Sequence, residues 1–229
     1  MNPRMRYYPI FVNLAGKKCL VVGAGQVGRR KIATLASCGA HEVLVLDVAD
    51  PGPEFEALGG LPGVRFERRA FAPDDLEGRM LVIASTSDEE LNWTISRLCA
   101  AKGVLCNIVD QPEKCGFIVP AILSQGDLTV AVSTGGASPA LARRIRQDLG
   151  DFFGSGYGAL LILMSRLRPH IIGLGQGTEA NSAIFRRLVN SSLLEALEKK
   201  DLPAAKAVLL AELPAELHPL TDELLDGLY

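Results

Sequence analysis

The stretch Cys19-Leu20-Val21-Val22-Gly23-Ala24-Gly25-Gln26-Val27-Gly28 decides the fold. Its first four residues are apolar without alternation, which suits a strand buried on both faces. The Gly-x-Gly-x-x-Gly that follows is a weak signal alone. Here it leads straight into a helical pattern, Gln26 to Ser37, with Val27, Ile32, Leu35 and Ala36 on one stripe and Gly39 placed to end it. In a strand–turn–helix unit each glycine has a task. Gly23 allows the tight turn, Gly25 lets backbone approach a pyrophosphate, and Gly28 lets helix pack on strand. The helix start adds unpaired N–H groups and a partial positive charge.

Outward from this unit the same alternation recurs. Val43 to Leu46 reads as a second buried strand ending at Asp47, Val64 to Glu67 as an outer strand, and Met80 to Ala84 as another buried one. Asp88 is placed to cap a helix reaching Ala101, and Leu105 to Val109 forms a further strand. Strands alternating with helices imply a Rossmann-type parallel sheet with right-handed crossovers. Asp47 stands nineteen positions after Gly28, where a carboxylate binds a ribose 2′-hydroxyl and repels a 2′-phosphate. That favours NAD over NADP. After Pro112 the pattern changes. Phe117 to Val119, Ala121 to Ser124 and Leu128 to Val132 read as strands, the last two joined by a turn at Gly126-Asp127. Ser138 and Pro139 open a helix to Leu149. Beyond Asp151 the patterning is helical only, over 157–167, 182–190, 192–199 and 203–213, with a glycine-rich loop at Gly173, Gly175 and Gly177. The expected division is therefore 1–112, 113–150 and 151–229.

Two more constellations carry chemistry. Asn107-Ile108-Val109-Asp110-Gln111-Pro112 puts Asp110 just past the carboxyl end of a buried strand, the edge where open α/β sheets bind ligands. Spacing alone leaves two roles open, a general base beside the nicotinamide or a cap on the turn before Pro112. Ser133-Thr134-Gly135-Gly136-Ala137-Ser138-Pro139 combines hydroxyls, glycines and a helix start, as an anion-binding nest does, with Arg143, Arg144 and Arg146 within two turns. An ordinary strand-to-helix turn with a solvated basic face is the alternative. The nest reading suits a carboxylated ligand, bound on the same sheet edge as Asp110. Arg29, Arg30 and Lys31 read as a mostly solvated helix face from which one side chain could reach a phosphate or an acidic substrate.

Composition excludes other classes. Of 229 residues 48% are hydrophobic and 22% charged, with a net charge of −2, so no basic field draws in nucleic acid. The five cysteines, Cys19, Cys38, Cys99, Cys106 and Cys115, show no Cys-x-x-Cys spacing and read as reduced thiols of a cytoplasmic protein. His170 and His218 read as structural, and no metal cluster is recognisable. The segment Met1 to Pro9 lacks the apolar core of a signal peptide, and the run Ala159 to Met164 is too short to span a bilayer.

Taken in order, several stretches resemble one family, the precorrin-2 dehydrogenase or siroheme-synthase N-terminal family. They are Pro9 to Leu14, Val21 to Lys31, Ala84 to Asp88, Cys106 to Asp110 with Phe117 and Pro120, and Val130 to Pro139. The resemblance implies NAD-dependent oxidation of precorrin-2 to sirohydrochlorin in siroheme or related haem biosynthesis, with Fe²⁺ insertion added in some members. It implies a Rossmann domain, a small β-rich dimerisation region and an all-helical C-terminal domain, assembled as a homodimer. It assigns Asp110 the essential acid–base role. Cofactor contacts fall on Gly23, Gly25, Gln26, Val27, Gly28, Asp47, Val48 and Thr86, and substrate contacts on Asn107, Ser133, Thr134, Gly135, Ser138 and Arg143. Some fused members carry a second serine, described as modified, where this chain has Thr134. No methyltransferase segment follows, so the chain is not expected to make precorrin-2 itself. Two other functions are compatible with the glycine turn. One is a non-catalytic NAD-sensing module with a helical partner-binding output, which would need neither Asp110 nor the Ser133 stretch. The other is a reductase of a small keto compound, which would want a Tyr-x-x-x-Lys donor; Tyr157 is followed at that spacing by Leu161.

Overall fold

The structure, a computed structural model, describes residues 7–50, 52–109 and 114–229. It divides into two compact units, 1–119 and 120–229, where the sequence pattern suggested three segments.

In the first unit, β1 (Lys18–Val22), β2 (Glu42–Asp47), β3 (Val64–Arg68), β4 (Arg79–Ala84) and β5 (Leu105–Ile108) form one parallel sheet in the order β3-β2-β1-β4-β5. Side-chain parity explains its burial on both faces. Cys19, Val21, Val43, Val45, Leu81 and Ile83 point to one face, together with Ile32 and Leu35 of α1 (Gln26–Ser37) and Phe55 of α2 (Pro53–Gly59). Leu20, Val22, Leu44, Leu46, Val82 and Ala84 point to the other. There they meet Ile95 and Cys99 of α3 (Glu89–Lys102) and Leu76 of a 3-10 turn. The strand order reverses between β1 and β4, so α1 and α3 leave the sheet on opposite faces and open a crevice at the carboxyl ends of those two strands. The helices end as their sequences suggest. Gly39, at φ +74°, closes α1 with paired bonds from its own N–H to Ala36 O and from Ala40 N–H to Leu35 O.

Phe117 to Val119, expected as a strand, joins no sheet. The segment runs back over β5 instead. Gly116 N–H donates to Cys106 O at 2.8 Å, the Cys115 thiol bonds to both backbone groups of Ile108, and Asn107 Nδ2 donates to Phe117 O at 3.0 Å. One backbone bond and several side-chain bonds, rather than a ladder, cover the sheet edge.

In the second unit, β6 (Ala121–Gln125) and β7 (Leu128–Val132) make a separate antiparallel hairpin around Gly126-Asp127, with Gly126 at φ +58°. Along α4 (Pro139–Phe152), Gly150 brings the helix backbone close to Leu123 of β6. The rest is helical: α5 (Ser155–Gly173), α6 (Thr178–Asn190), α7 (Leu193–Glu198), α8 (Leu202–Glu212) and α9 (Thr221–Leu225). Leu163, Leu167 and Ile171 line one stripe of α5 and pack with Ile184, Leu188, Leu197, Leu209 and Leu225. α5 extends a turn and a half beyond its expected end because Pro169 and Gly173 are accommodated in its last turns. No helix of the described residues is long and apolar enough to cross a membrane.

Ion pairs brace the first unit. Arg69 grips Asp75 with two bonds at 2.8 and 2.6 Å, and Arg79 bonds Glu42. The Arg69 bond holds the Asp75 carboxyl below its ordinary value. Burial would raise Glu42, but the Arg79 bond and charge outweigh it and lower it too. Both carboxylates therefore contribute stability above pH 4–5, which is lost as pH falls through their depressed folded values. Urea unfolding should show that loss between pH 5 and pH 2 (about 1 kcal/mol per pair, since the partners are partly solvated), and Asp75→Asn should remove the Asp75 share and leave that of Glu42.

Candidate functional site

The crevice between β1 and β4 is built by glycines that tolerate no side chain. Gly23 adopts φ +101°, and a Cβ there would stand 2.6 Å from Ser85 O. A Cβ on Gly28 would stand 2.0 Å from Gly23 O. Ser85 Oγ donates to Gly23 O at 2.9 Å, stitching the end of β4 to the end of β1. Gly25 differs. Its φ of −64° suits any residue, and a Cβ there would meet nothing within 4 Å. The space it leaves faces outward, at the N-terminus of α1, which has no side-chain cap. An uncapped helix start beside an empty approach is the cradle a pyrophosphate requires. The donor set fits a dinucleotide.

Asp47 ends β2 as expected, and its carboxylate is already engaged. Oδ2 accepts Ala24 N–H at 2.7 Å and Oδ1 accepts Ala49 N–H at 2.9 Å. It ties the glycine turn to β2 while keeping lone pairs for further donors. Val48 beside it is 68% exposed. Arg68, opposite Asp47 in the β2–β3 register, donates from Nε to Val48 O; a residue so placed only by strand pairing escaped the sequence reading. Of the basic residues after the turn, Arg30 is exposed, whereas Lys31 is half-buried, and burial lowers its pKa, helped by the charge of Arg30.

At the end of β4, Thr86 is held by Asn92 of α3, a second residue the sequence reading missed. At the end of β5, Val109 N–H donates to Ala84 O at 3.1 Å. Asp110 itself lies outside the described residues, as do Gln111 and Pro112. The chain is anchored again at Lys114, whose carbonyl accepts from Ser96 Oγ at 3.0 Å and whose ammonium sits 3.7 Å from the centre of the Trp93 ring. Asn107, read as a substrate contact, is buried, and its amide donates to Phe117 O.

The Ser133–Pro139 stretch belongs to a different sheet. It follows β7 of the hairpin, not a strand of the parallel sheet, so the expected common sheet edge with Asp110 is replaced by separate attachment in the second unit. Its polar groups largely satisfy one another. Thr134 Oγ1 accepts from Ser138 N–H and donates to Ser138 O, Ser133 Oγ accepts from Gly135 N–H, and Ser138 Oγ caps α4 through Leu141 N–H. Gly135 and Gly136 both adopt positive φ, and Arg143 is exposed while Arg144 pairs with Asp148. Among the described residues no cluster of His, Cys, Asp and Glu could hold a metal ion.

Comparison with known proteins matches this arrangement in two consecutive pieces. The family described as "Putative NAD(P)-binding" matches residues 10–121, and "Sirohaem biosynthesis protein central" matches 125–151. The siroheme synthase of Thioalkalivibrio sulfidiphilus is 37% identical over 83% of this chain and 39% of its own length; that of Nitrosococcus oceani is 34% identical over 94% and 46%. This chain belongs to the siroheme-synthase N-terminal family. It spans less than half the length of these curated relatives. A solved structure titled SirC, precorrin-2 dehydrogenase, shares the fold with a TM-score of 0.70 at 23% identity, over 88% of this chain and 100% of that one. The first unit is thus an NAD(P)-binding domain of this family.

The two glycines separate fold from binding. Gly28→Ala should destabilise the protein by about 3 kcal/mol or more, because backbone must move. Gly25→Ala should keep its unfolding midpoint within about 2 °C yet weaken dinucleotide binding by about tenfold or more, read by calorimetric titration with NAD.

Proposed function

We propose that this chain oxidises precorrin-2 to sirohydrochlorin with NAD as hydride acceptor. The observation that carries the reading is the open cradle at Gly25 and uncapped α1, in a chain whose following segment matches the sirohaem central family. The names of the relatives and of the structural neighbour point the same way.

Gly23, Gly25, Gln26, Val27 and Gly28 hold the pyrophosphate on backbone N–H groups and the positive end of α1. Asp47, fixed by Ala24 and Ala49, accepts the adenosine ribose hydroxyls and disfavours a 2′-phosphate, with Val48 alongside. Thr86 walls the nicotinamide side. When bound, NAD supplies the hydride acceptor. The oxidation removes two hydrogens, one as hydride and one as a proton, and Asp110 takes the proton. Asn107 serves this site by holding the return of the chain at Phe117. Ser133, Thr134, Gly135, Ser138 and Arg143 contribute to a polycarboxylate subsite, with Arg143 the charged member.

In this reading 1–112 binds NAD, 113–150 dimerises and 151–229 is a helical domain. A two-stranded hairpin is marginal alone, and Ile122 of β6 with Leu141 and Phe152 of α4 stays exposed, which supports a homodimer. The free thiols support a cytoplasmic location. Iron insertion into the product, which the family resemblance implies for some members, is assayed separately.

The decisive assay supplies precorrin-2 with NAD, and separately sirohydrochlorin with Fe²⁺, and follows both by absorbance. The first should proceed with the wild-type chain. Asp110→Ala should slow it by about a hundredfold or more with NAD affinity unchanged; near-normal turnover in that variant would remove Asp110 as the base.

A further inference from the structure

Three polar side chains are buried among the described residues: Asn92, Asn107 and Thr221. A buried amide must find partners or destabilise the fold. The Asn107 amide donates to Phe117 O and Cys115 Sγ, and the Thr221 hydroxyl donates to His218 O, all remote from the crevice glycines. Asn92 is different. It stands one turn into α3, is 5% exposed, and directs its side-chain bonds at one residue, Thr86. Its Oδ1 accepts from Thr86 N–H at 3.2 Å and from Thr86 Oγ1 at 2.8 Å, while its Nδ2 donates to Thr86 O at 2.9 Å.

Thr86 is also pressed from the other side. Its backbone nitrogen lies 2.8 Å from where a Cβ on Gly23 would stand, and the neighbouring Ser85 hydroxyl bonds Gly23 O. The loop after β4 is therefore clamped between α3 and the glycine turn. The Thr86 hydroxyl also meets the Asp88 backbone, at 3.0 Å from its carbonyl and 3.2 Å from its N–H, but the Asn92 amide alone engages the N–H and carbonyl of Thr86 as well as its hydroxyl, so Thr86 presents a fixed wall to the crevice.

We infer that Asn92 is a positioning residue for the dinucleotide: through its bonds to Thr86 it sets the β4 wall of the crevice against the glycine turn. It touches no ligand itself. The inference rests on the NAD-binding reading of that crevice. Asn92→Leu keeps the volume and removes every bond. It should raise the Kd and KM for NAD about tenfold while kcat at saturating NAD stays within about twofold. A merely structural role would lower the folded fraction and hence kcat, leaving the Kd of the folded molecules alone. Asn92→Asp keeps both accepted bonds and loses the one donated to Thr86 O, so it should raise KM for NAD about threefold.

The experiment measures calorimetric Kd, KM and kcat on the full chain. Wild-type Kd in Asn92→Leu, or a fall in kcat at unchanged KM for NAD, overturns the inference. If Asn92→Leu does not fold, Asn92→Asp decides, and a wild-type KM there overturns it. Failure of the wild-type chain to bind NAD at all overturns the cofactor reading and the inference with it, whereas normal binding by the variants overturns the inference alone.

Discussion

The contact between the start of α1 and the end of β1 governs the rest of the first unit. Gly28 lies so near the Gly23 carbonyl that a single methyl group would stand 2.0 Å from it. That approach brings the uncapped helix N-terminus to the edge of the sheet and aims its N–H groups into the crevice between β1 and β4. A helix held further off would still cover the sheet with Ile32 and Leu35, but its dipole would no longer be focused on a bound phosphate.

Around that contact, polar bonds converge from two strand ends and a helix. Asp47 reaches from β2 to Ala24, Ser85 from β4 to Gly23, and Asn92 from α3 to Thr86. Each satisfies a loop group that would otherwise be half-desolvated and unpaired. The same residues restrict how the loops can move, so the crevice is formed before any ligand arrives. Preorganisation of this kind lowers the ordering cost of binding. The edge at β5 is handled likewise, by Cys115, Asn107 and the Ser96–Lys114 bond on either side of the segment that carries Asp110.

Much of the first unit was legible because its signals are local and periodic. Unbroken apolar runs marked β1, β2 and β4, Asp88 marked the start of α3, and Gly39 marked the end of α1. Phe117 to Val119 misled because an apolar, β-branched run looks like a strand, yet the segment is held to β5 by a single backbone bond at Gly116 and by side-chain bonds of Asn107 and Cys115 rather than by a ladder. Arg68 and Asn92 carried no motif. One owes its place to strand register and the other to a helical turn facing a loop six residues back, and neither relation is visible in spacing alone.

The sequence by itself determined a dinucleotide-binding parallel sheet, since glycine positions, a carboxylate at a strand end and burial periodicity follow from short-range sterics and hydropathy. Only the tertiary structure decided which polar groups remain available. It engaged Asp47 with the glycine turn, turned Asn107 and much of the Ser133–Ser138 stretch to internal bonds, and put the latter on a separate hairpin. The physical reason is that hydrogen-bond satisfaction is a property of what surrounds a group in space, which residue order alone does not specify.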